Sequence, residues 1–526
     1  MAYSATLPLS TRKIARCREI ARSIGGEVAE LVESHSTVGT ERAVLRLLGF
    51  NDALQWEGLL FPTSNFLVDQ LKASERLNEG ALFWVANALL STGLGISELE
   101  QRTIKEGFDI GKVAPFDKSK VAKLANQLAK DSFRKLVQYR KTRSGLKRKL
   151  HDPVSEKRPL KYVIVATGNI FEDVTQARAA VMDGADAIAV IRSTAQSLLD
   201  YVPQGTTTEG FGGTYATQAN FRLMRQALDE LGQEQNRYIR LTNYCSGLCM
   251  SEIAVLAALE GLDFLLNDAM YGILFRDINP RRTLIDQHFS RLICGVSDIW
   301  IMTGEDNYMK TTDAKESGDQ VLASQFINEV AALNAGMTHE QMSIGHAMEM
   351  DPSYKKVILY EIARAQMTRQ IFPKCPLKYM CNTKYKTGDI FTSHAVDTVF
   401  NFIGSFTQQG VLLLGMPTEA VHTPFLQDRS LSIRNANYIL NGSLGISNEF
   451  GYRSDGEISR FAQKVLDDAL KLLEKIDGMG LLKSIEKRYF ADVSRTVEGG
   501  KGAAGVFPVE RKNYLNPFFE LMGSKI

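Results

Sequence analysis

The sequence predicts an α/β fold: a (β/α)8 barrel of the TIM type, with helical additions before and after it. Two observations support this prediction. Short apolar runs rich in Val and Ile recur along residues 156–425, as expected for parallel strands buried on both faces. The intervals between the runs can each hold a crossover helix, and about eight such units match the usual size of this barrel. A doubly wound open sheet is the structural alternative, and the number of units favours the barrel.

The predicted strands are runs of apolar residues bounded by polar segments. In chain order they are YVIVA (162–166), AIAVI (187–191), YIRLT (238–242), DFLLN (263–267), DIWIM (298–302), SIGHA (343–347), PLKYM (376–380) and VLLLG (411–415). Helices are predicted between them, for example in QARAAVMDGA, FRLMRQALDELG and MSEIAVLAALEG.

Both flanks of the barrel are predicted to be helical. Residues 1–155 form an accessory region and linker, because TRKIARCREIARSI and ERAVLRLLG place apolar residues three and four apart. The basic stretch 141–161 favours a solvated linker over an anion-binding patch, since acidic residues and prolines interrupt its charge. Residues 426–526 form a helical extension that ends in a Gly-rich, aromatic tail, which we expect to dock on another surface.

The composition is typical of an ordinary soluble globular protein. Among 526 residues, 62 are Lys or Arg and 60 are Asp or Glu, so the net charge is only +2. Neither a nucleic acid nor a membrane is therefore an expected partner. Six cysteines are too few for a disulfide framework and predict buried, reduced thiols. MAYSATLPLSTRKIAR lacks the apolar core of a signal peptide, and we expect a cytoplasmic protein.

Polar side chains follow most of the predicted strands, at the end of the barrel where active sites form. Arginines and hydroxyls there suit phosphate and carboxylate groups, a tyrosine can stack on a flat ring, and carboxylates can hold an ammonium. For any single residue, a solvated loop is an equally good interpretation. These residues are Thr167, Gly168, Asn169, Arg192, Ser193, Thr194, Gln196, Ser197, Asn243, Tyr244, Cys245, Ser246, Asn267, Asp268, Tyr271, Arg276, Thr303, Gly304, Glu305, Asp306, Asn307, His346, Glu349 and Asp351.

Three local motifs do not identify a cofactor by themselves. The Gly-rich loop at 205–218 suits either a phosphate cradle or a loop that lines the pocket. Cys245 and Cys249 resemble the start of an iron–sulfur motif, but Glu252 stands where its third cysteine belongs. Asp286-x-His288 resembles a cobalt-ligating motif, but it falls in a predicted helix and Arg291 replaces the required glycine. No metal site is predicted.

Several long segments resemble the α subunits of the D-lysine 5,6-aminomutase family. They include KYVIVATGNIFEDVTQA, AVIRSTAQSLLDYVPQGTTTEGFGGTYATQ, IRLTNYCSGLCMSEIA, NDAMYGILFRDINPRRTLIDQHFSR, TGEDNY and VLASQFINE. The resemblance continues into SHSTVGTERAVLRLLG before the barrel and NPFFELM near the C-terminus. It therefore covers nearly the whole chain.

The resemblance implies two cofactors, pyridoxal phosphate and adenosylcobalamin. It also implies a smaller β subunit, which carries the Rossmann-like cobalamin domain, the cobalt-ligating histidine and the Schiff-base lysine, in an α2β2-type heteromer. By resemblance, Tyr271 stacks on the pyridine ring and Ser246 faces its nitrogen. Arg192, Ser197 and Arg276 would hold the cofactor phosphate or the substrate carboxylate. Asp306 would sit near the ring oxygen, the imine or the substrate ammonium.

The implied activity is that of a radical isomerase in lysine degradation. It shifts an amino group of D-lysine or L-β-lysine to carbon 5 and gives 2,5-diaminohexanoate from D-lysine. Three alternatives remain: an ornithine 4,5-aminomutase component, a barrel subunit that only scaffolds its partner, and a cobalamin-dependent lyase without pyridoxal phosphate. In the ornithine enzymes the large subunit usually carries the cobalamin domain, for which this chain has no room.

Overall fold

The computed structural model describes residues 3–56, 59–190, 195–303, 315–348 and 351–526. The region before the barrel is mostly helical, as predicted. Serine and aspartate side chains begin its two longest helices: Ser10 accepts from the N–H of Lys13, and Asp117 from that of Lys120. Its elements are β1 (Tyr3–Ser4), α1 (Thr11–Ser34), β2 (His35–Thr37), α2 (Val38–Leu48), β3 (Ala53–Trp56), β4 (Leu59–Pro62), α3 (Thr63–Ala73), α4 (Ala81–Thr92), α5 (Ile96–Glu106) and α6 (Lys118–Lys147).

The barrel strands follow, and each of the eight predicted strands is confirmed. All neighbouring strands pair in parallel, and the strand order follows the chain order around the barrel. The ends of the strands differ from the predicted ends by at most two residues; the third strand, for example, begins at Arg240 instead of Tyr238. The strands are β5 (Leu160–Ile164), β6 (Ala187–Ala189), β7 (Arg240–Tyr244), β8 (Phe264–Leu266), β9 (Trp300–Thr303), β10 (Met342–Ile344), β11 (His346–Ala347), β12 (Lys378–Met380) and β13 (Val411–Leu413).

The barrel closes through its sixth strand, which Gly345 divides into β10 and β11. β10 pairs with β9, whereas β11 pairs with β12. At the break, the Gly345 N–H donates to the Thr303 carbonyl at 2.6 Å. Its own carbonyl accepts from the Gln325 side chain at 2.8 Å. One continuous segment therefore joins the two ends of the sheet, and the TIM-type barrel is complete.

Eight helices of the described ranges surround these strands. Helix α14 packs between α13 and α7, and its Arg429 donates to the Ile164 carbonyl at the end of β5. The division of the chain at residues 155 and 425 stays a prediction, although α14 belongs to this ring by packing. The helices are α7 (Ile170–Asp183), α8 (Gln218–Glu234), α9 (Met250–Glu260), α10 (Pro280–Ser297), α11 (Gly318–Asn334), α12 (Val357–Ile371), α13 (Ile390–Phe406) and α14 (Leu426–Gly442).

The barrel interior is packed with side chains. Tyr162, Phe264 and Met302 belong to one buried apolar cluster inside it. At the N-terminal end Arg240 is 1% exposed, lies against the rings of Phe264 and Trp300, and donates to both oxygens of Asp152 at 2.7 and 2.8 Å. This end is therefore sealed by a paired cation, and the opposite end carries the loops that follow the strands.

The predicted linker at 141–161 is partly wrong, because α6 continues to Lys147. Arg143 fixes this last part of the helix: its guanidinium donates to both oxygens of Asp229 and to the Tyr238 hydroxyl. Asp229 and Tyr238 lie 86 and 95 residues later in the sequence, so local composition could not reveal these contacts.

The C-terminal tail docks on its own chain. β15 pairs with β2 in antiparallel fashion, and Phe518 is buried. Helix α15 packs against α1 and α11. The elements of this region are β14 (Tyr452–Arg453), α15 (Glu457–Met479), α16 (Leu481–Glu486), β15 (Val506–Pro508) and α17 (Phe518–Leu521).

Candidate active site

Four of the six site residues predicted from the resemblance lie in the described part of the chain. Ser197, Ser246, Tyr271 and Arg276 all follow strands β6, β7 or β8 at the C-terminal end of the barrel. These strands are neighbours in the sheet, so the loops that carry the four residues are adjacent. Arg192 and Asp306 fall outside the described residues.

Tyr271 and Arg276 form a direct pair after β8. A π-helical turn spans Tyr271–Phe275, and Arg276 follows it immediately. The Arg276 Nη2 donates to the Tyr271 hydroxyl at 2.8 Å, and the guanidinium lies 4.5 Å from the centre of the Phe275 ring. Tyr244, at the end of β7, packs against Tyr271 with ring centroids 5.9 Å apart. The turn thus presents a cation and aromatic rings together.

The Arg276 side chain has capacity for a further acceptor. Its Nε is buried and has no hydrogen-bond partner among the described residues. A buried guanidinium N–H without an acceptor is unfavourable, and a phosphate or carboxylate oxygen is the acceptor that it binds most strongly. The geometry therefore suits an anion at this position.

Ser246 lies one strand away and is 2% exposed. Its hydroxyl donates to the Leu266 carbonyl at 3.2 Å and accepts from the Asp268 N–H at 3.3 Å. The Asp268 carboxylate in turn accepts from the Met270 N–H, at the residue that precedes Tyr271. Ser246 and Tyr271 are thus linked through one turn of backbone. The hydroxyl proton is used in the bond to Leu266, and one of its two acceptor lone pairs remains, because Asp268 occupies only the other.

Ser197 is buried in the loop after β6. Its carbonyl accepts from the Leu248 N–H at 3.3 Å, which joins this loop to the one that carries Ser246. Three residues later, Asp200 accepts from Arg42 Nη1 and from Arg282 Nη2, at 2.7 and 2.9 Å. Burial opposes ionisation of Asp200, but the two guanidinium groups outweigh it and hold the pKa of its carboxyl at about 2. The accessory helix α2 therefore anchors this loop.

Arg291 organises the strand ends beneath the site. It is fully buried on α10 and donates to Asn267 after β8, to the Thr303 hydroxyl on β9 and to the Asn328 side chain on α11. The sequence identified Arg291 only as the residue that breaks a cobalt-ligating motif. The segment 286–288 lies in a helix, as predicted, and the C-terminal tail covers His288 through a contact with Ser524.

The Gly-rich loop at 205–218 is held by bonds within the chain. The N–H of Gly210 donates to the Gly168 carbonyl, and that of Ala216 donates to the Gln196 side chain. Because these N–H groups already have acceptors, the arrangement favours the interpretation as a loop that lines the pocket. Gly168 has φ +96°, and a Cβ there would lie 2.7 Å from the Gly210 oxygen, so the close approach requires glycine.

His346, which was singled out from the sequence, lies away from the mouth. His346 is buried on the outer face of β11, where its ring packs at a tilt against Tyr379 with centroids 4.6 Å apart, so its inclusion among the mouth residues is corrected. It points outward because the next residue, Ala347, packs inside the barrel. Lys386, in the loop after β12, is buried, and its amine contacts Asp397 and Glu419 at 2.7 and 2.9 Å.

The described chain contains free thiols but no cluster of side chains suited to a metal ion. All six cysteines are buried and free, as predicted. Within the described ranges, no group of three or more His, Cys, Asp and Glu side chains is arranged to hold a metal ion. No single described helix has the length and apolar character needed to cross a bilayer; only the sharply bent pair α4 and α5 meets those criteria jointly.

Comparison with known proteins gives matches over almost the full length. Residues 7–521 match the family described as the D-lysine 5,6-aminomutase TIM-barrel domain of the alpha subunit. The chain is 51% identical over 519 residues to the lysine 5,6-aminomutase alpha subunit of Acetoanaerobium sticklandii, with 99% of each chain covered. It is 49% identical over 517 residues to that of Fusobacterium nucleatum, with 98% of each covered.

A more distant relative is the D-ornithine 4,5-aminomutase subunit beta of Acetoanaerobium sticklandii. It is 25% identical over 366 residues, which are 67% of this chain and 49% of that protein. The full-length matches decide the family, because they cover 99% and 98% of this chain, whereas the ornithine relative covers 67% at lower identity. This chain belongs to the D-lysine 5,6-aminomutase alpha-subunit family.

Proposed function

We propose that this protein is the large subunit of a lysine 5,6-aminomutase, an isomerase that moves the terminal amino group of D-lysine or L-β-lysine to carbon 5. The observation that carries the proposal is the sequence identity, 51% and 49% over nearly the full length, to two lysine 5,6-aminomutase alpha subunits. The pair Tyr271–Arg276 at the barrel mouth supports it, because it combines an anion-binding cation with a stacking surface.

The proposed cofactors are pyridoxal phosphate and adenosylcobalamin. When bound, pyridoxal phosphate supplies a carbonyl for the migrating amine, and adenosylcobalamin supplies the radical that starts the reaction. The described residues fit an anionic, aromatic cofactor, since Arg276 has a buried Nε free to donate and Tyr271 offers its ring. Arg192 and Asp306 remain proposed contacts to the cofactor or substrate.

In this proposal the chain binds and orients the cofactor and the substrate, and it excludes water from them. Arg276 binds an anionic group, either the phosphate of the cofactor or the substrate carboxylate, and Tyr271 stacks on the pyridine ring. Ser246 donates its proton to Leu266, so it can meet the ring nitrogen only as an acceptor. A proton on that nitrogen would then be held at the Ser246 oxygen. The closed barrel keeps solvent from a reactive radical.

We further propose a heteromer with a smaller subunit that carries cobalamin and the Schiff-base lysine, in an α2β2-type assembly. The name of the relatives as alpha subunits supports a partner. Lys386 contributes a second argument. Its amine is held by the carboxylates of Asp397 and Glu419, so this lysine of the chain is poorly placed to form the Schiff base itself. A cytoplasmic location is also proposed, since buried free thiols suit a reducing compartment.

The test is to purify the tagged chain from its native extract with whatever associates with it. The material is supplied with pyridoxal phosphate, adenosylcobalamin and one of three substrates, D-lysine, L-β-lysine or D-ornithine, and products are followed by mass spectrometry. We expect 2,5-diaminohexanoate from D-lysine only when a smaller cobalamin-binding protein is present. Arg276→Ala should abolish most product, whereas Arg434→Ala, on the exposed side of α14, should not.

Each other result overturns a defined part of the proposal. Rearrangement of ornithine without lysine would make the chain an ornithine 4,5-aminomutase component. A cobalamin partner with no rearranged substrate at all would leave a scaffold role. Product from the chain alone would remove the need for a second subunit.

A further inference from the structure

The segment that carries Tyr271 and Arg276 has an unusual backbone. Its π-helical turn over Tyr271–Phe275 is a rare geometry that is common at functional sites. Asp277, directly after Arg276, adopts the left-handed conformation with φ +58°. Such backbone persists only where surrounding groups hold it in place.

Arg495, in the C-terminal tail, contacts the turn directly. Its Nε donates to the Ile273 carbonyl and its Nη2 donates to the Leu274 carbonyl, both at 2.9 Å. The Nε also lies 3.3 Å from the Asp277 carboxylate. One guanidinium fork thus binds two successive carbonyls in the middle of the turn, and the partners are separated by more than 220 residues of sequence.

The rest of the tail segment 495–501 follows the chain beyond the turn. The Lys501 N–H donates to the Asp277 carbonyl at 2.7 Å, and the Asn279 N–H donates to the Lys501 carbonyl at 2.9 Å. The Asn279 side chain also donates to two tail carbonyls, at 2.7 and 2.8 Å. We call residues 495–501 the tail clamp. It contacts the turn and its continuation, and none of these bonds uses the Tyr271 or Arg276 side chain.

We propose that Arg495 is a positioning residue for the cofactor site: it fixes the π-helical turn so that Tyr271 and Arg276 keep their orientation at the barrel mouth. The inference rests on the proposed function, since it assumes that these two side chains bind pyridoxal phosphate or substrate. Arg495 itself donates to backbone carbonyls and acts only through the turn. Loss of its fork frees two carbonyls and lets the turn relax toward an ordinary helical geometry.

The experiment uses the assembled complex with its smaller subunit and compares Arg495→Ala, Arg495→Lys and Arg511→Ala. Arg511 is the matched control: it lies in the same tail, is 66% exposed and pairs with Glu33 instead of the turn. Four quantities are measured: the Kd of pyridoxal phosphate, the kcat and the KM for D-lysine, and the rate of amide hydrogen exchange at Ile278 and Asn279. Their N–H groups bond to Gly272 and Lys501 and report on the turn.

For Arg495→Ala we expect faster exchange, a Kd raised about tenfold and a kcat lowered ~10- to 100-fold, as small misplacements of binding groups produce. Arg495→Lys should fall between this variant and the unaltered complex, because an ammonium lacks the fork. Arg511→Ala should leave all four quantities unchanged.

Unchanged exchange in Arg495→Ala would overturn the proposal. So would faster exchange with normal cofactor affinity and kcat, because Arg495 would then be a structural cap only. Should Arg495→Ala fail to assemble, Arg495→Lys decides the question, and normal values in it overturn the inference. If the unaltered complex neither binds pyridoxal phosphate nor rearranges lysine, the proposed function itself fails, which the exchange data distinguish from failure at Arg495.

Discussion

Asp186 offers a test of which end of the barrel supports stability and which supports function. It lies directly before β6, at the N-terminal end, and is fully buried. Its carboxylate accepts from Arg158 at 2.6 and 3.2 Å, from Arg237 at 3.0 Å and from the Lys161 N–H at 2.9 Å. We consider the substitution Asp186→Asn, which keeps the shape and removes the charge.

The expected loss follows from these contacts. Asparagine keeps one acceptor oxygen but turns an NH2 group toward the arginine donors, which are only 12% and 15% exposed. Removing one partner of a buried ion pair costs about 3–5 kcal/mol in the free energy of unfolding. Glu156→Gln is the matched control, because Glu156 contacts the same Arg158 at 2.6 Å but is 34% exposed. Its loss should stay below about 1 kcal/mol.

The pH dependence has a definite sign. Burial disfavours the charged form of Asp186, but the Arg158 hydrogen bonds and the Lys161 charge outweigh it and hold the pKa of the carboxyl below its ordinary value. A group whose pKa is lowered by folding stabilises the protein above its unfolded-state pKa, near 4 for aspartate. The difference in the free energy of unfolding between the unaltered protein and Asp186→Asn should therefore be complete at pH 7 and should shrink as the pH falls below about 4.

The assay is chemical unfolding followed by circular dichroism, with pyridoxal phosphate affinity of the complex measured in parallel. Midpoints are compared, because a chain of 526 residues need not unfold in one step. We expect a lower midpoint with unchanged cofactor affinity for Asp186→Asn. Equal midpoints for the two variants, or weaker cofactor binding at an unchanged midpoint, would refute the reasoning.

Two further predictions concern a loop and a buried acid. Gly168→Ala should displace the loop at 205–218 and speed its cleavage by a protease, because the new Cβ meets Gly210. The control is Gly445→Ala, where φ is also positive at +80° but the space is open, and it should leave cleavage at this loop unchanged. Burial raises the pKa of Glu100 to about 7, so its unfavourable charging should remove ~3 kcal/mol of stability as the pH rises from 4.5 past 7. Melting curves of Glu100→Gln should lack this component, and an unchanged pH dependence would contradict the assignment.

The strands were predictable because burial on both faces leaves a continuous apolar run, which any parallel strand in a barrel must have. The exact start of β7 was not. Arg240 begins that strand inside the barrel, where a cation is tolerated only because it pairs with Asp152, in the segment before β5. The partner lies 88 residues earlier in the sequence. Local pattern contains no information on such a pairing.

The candidate site shows the same limit in a different form. The positions of Ser197, Ser246, Tyr271 and Arg276 after neighbouring strands follow from the strand pattern alone, and their roles came only from the resemblance. The π-helical turn after β8 had no sequence signal, because it depends on contacts made by the tail. Tyr244 was identified only as a polar residue at a strand end, and its packing against Tyr271 required the fold.

The two additions to the barrel share one structural task at its mouth. Arg42 on α2 holds the loop that carries Ser197 through Asp200, and Arg495 in the tail holds the turn that carries Tyr271. In both cases an arginine donates to backbone carbonyls of a mouth loop. A barrel alone fixes where each strand ends but leaves the loops beyond the ends free to move. A site that must hold a substrate away from water requires those loops to be fixed, which explains why this barrel is embedded between two helical regions that reach its mouth.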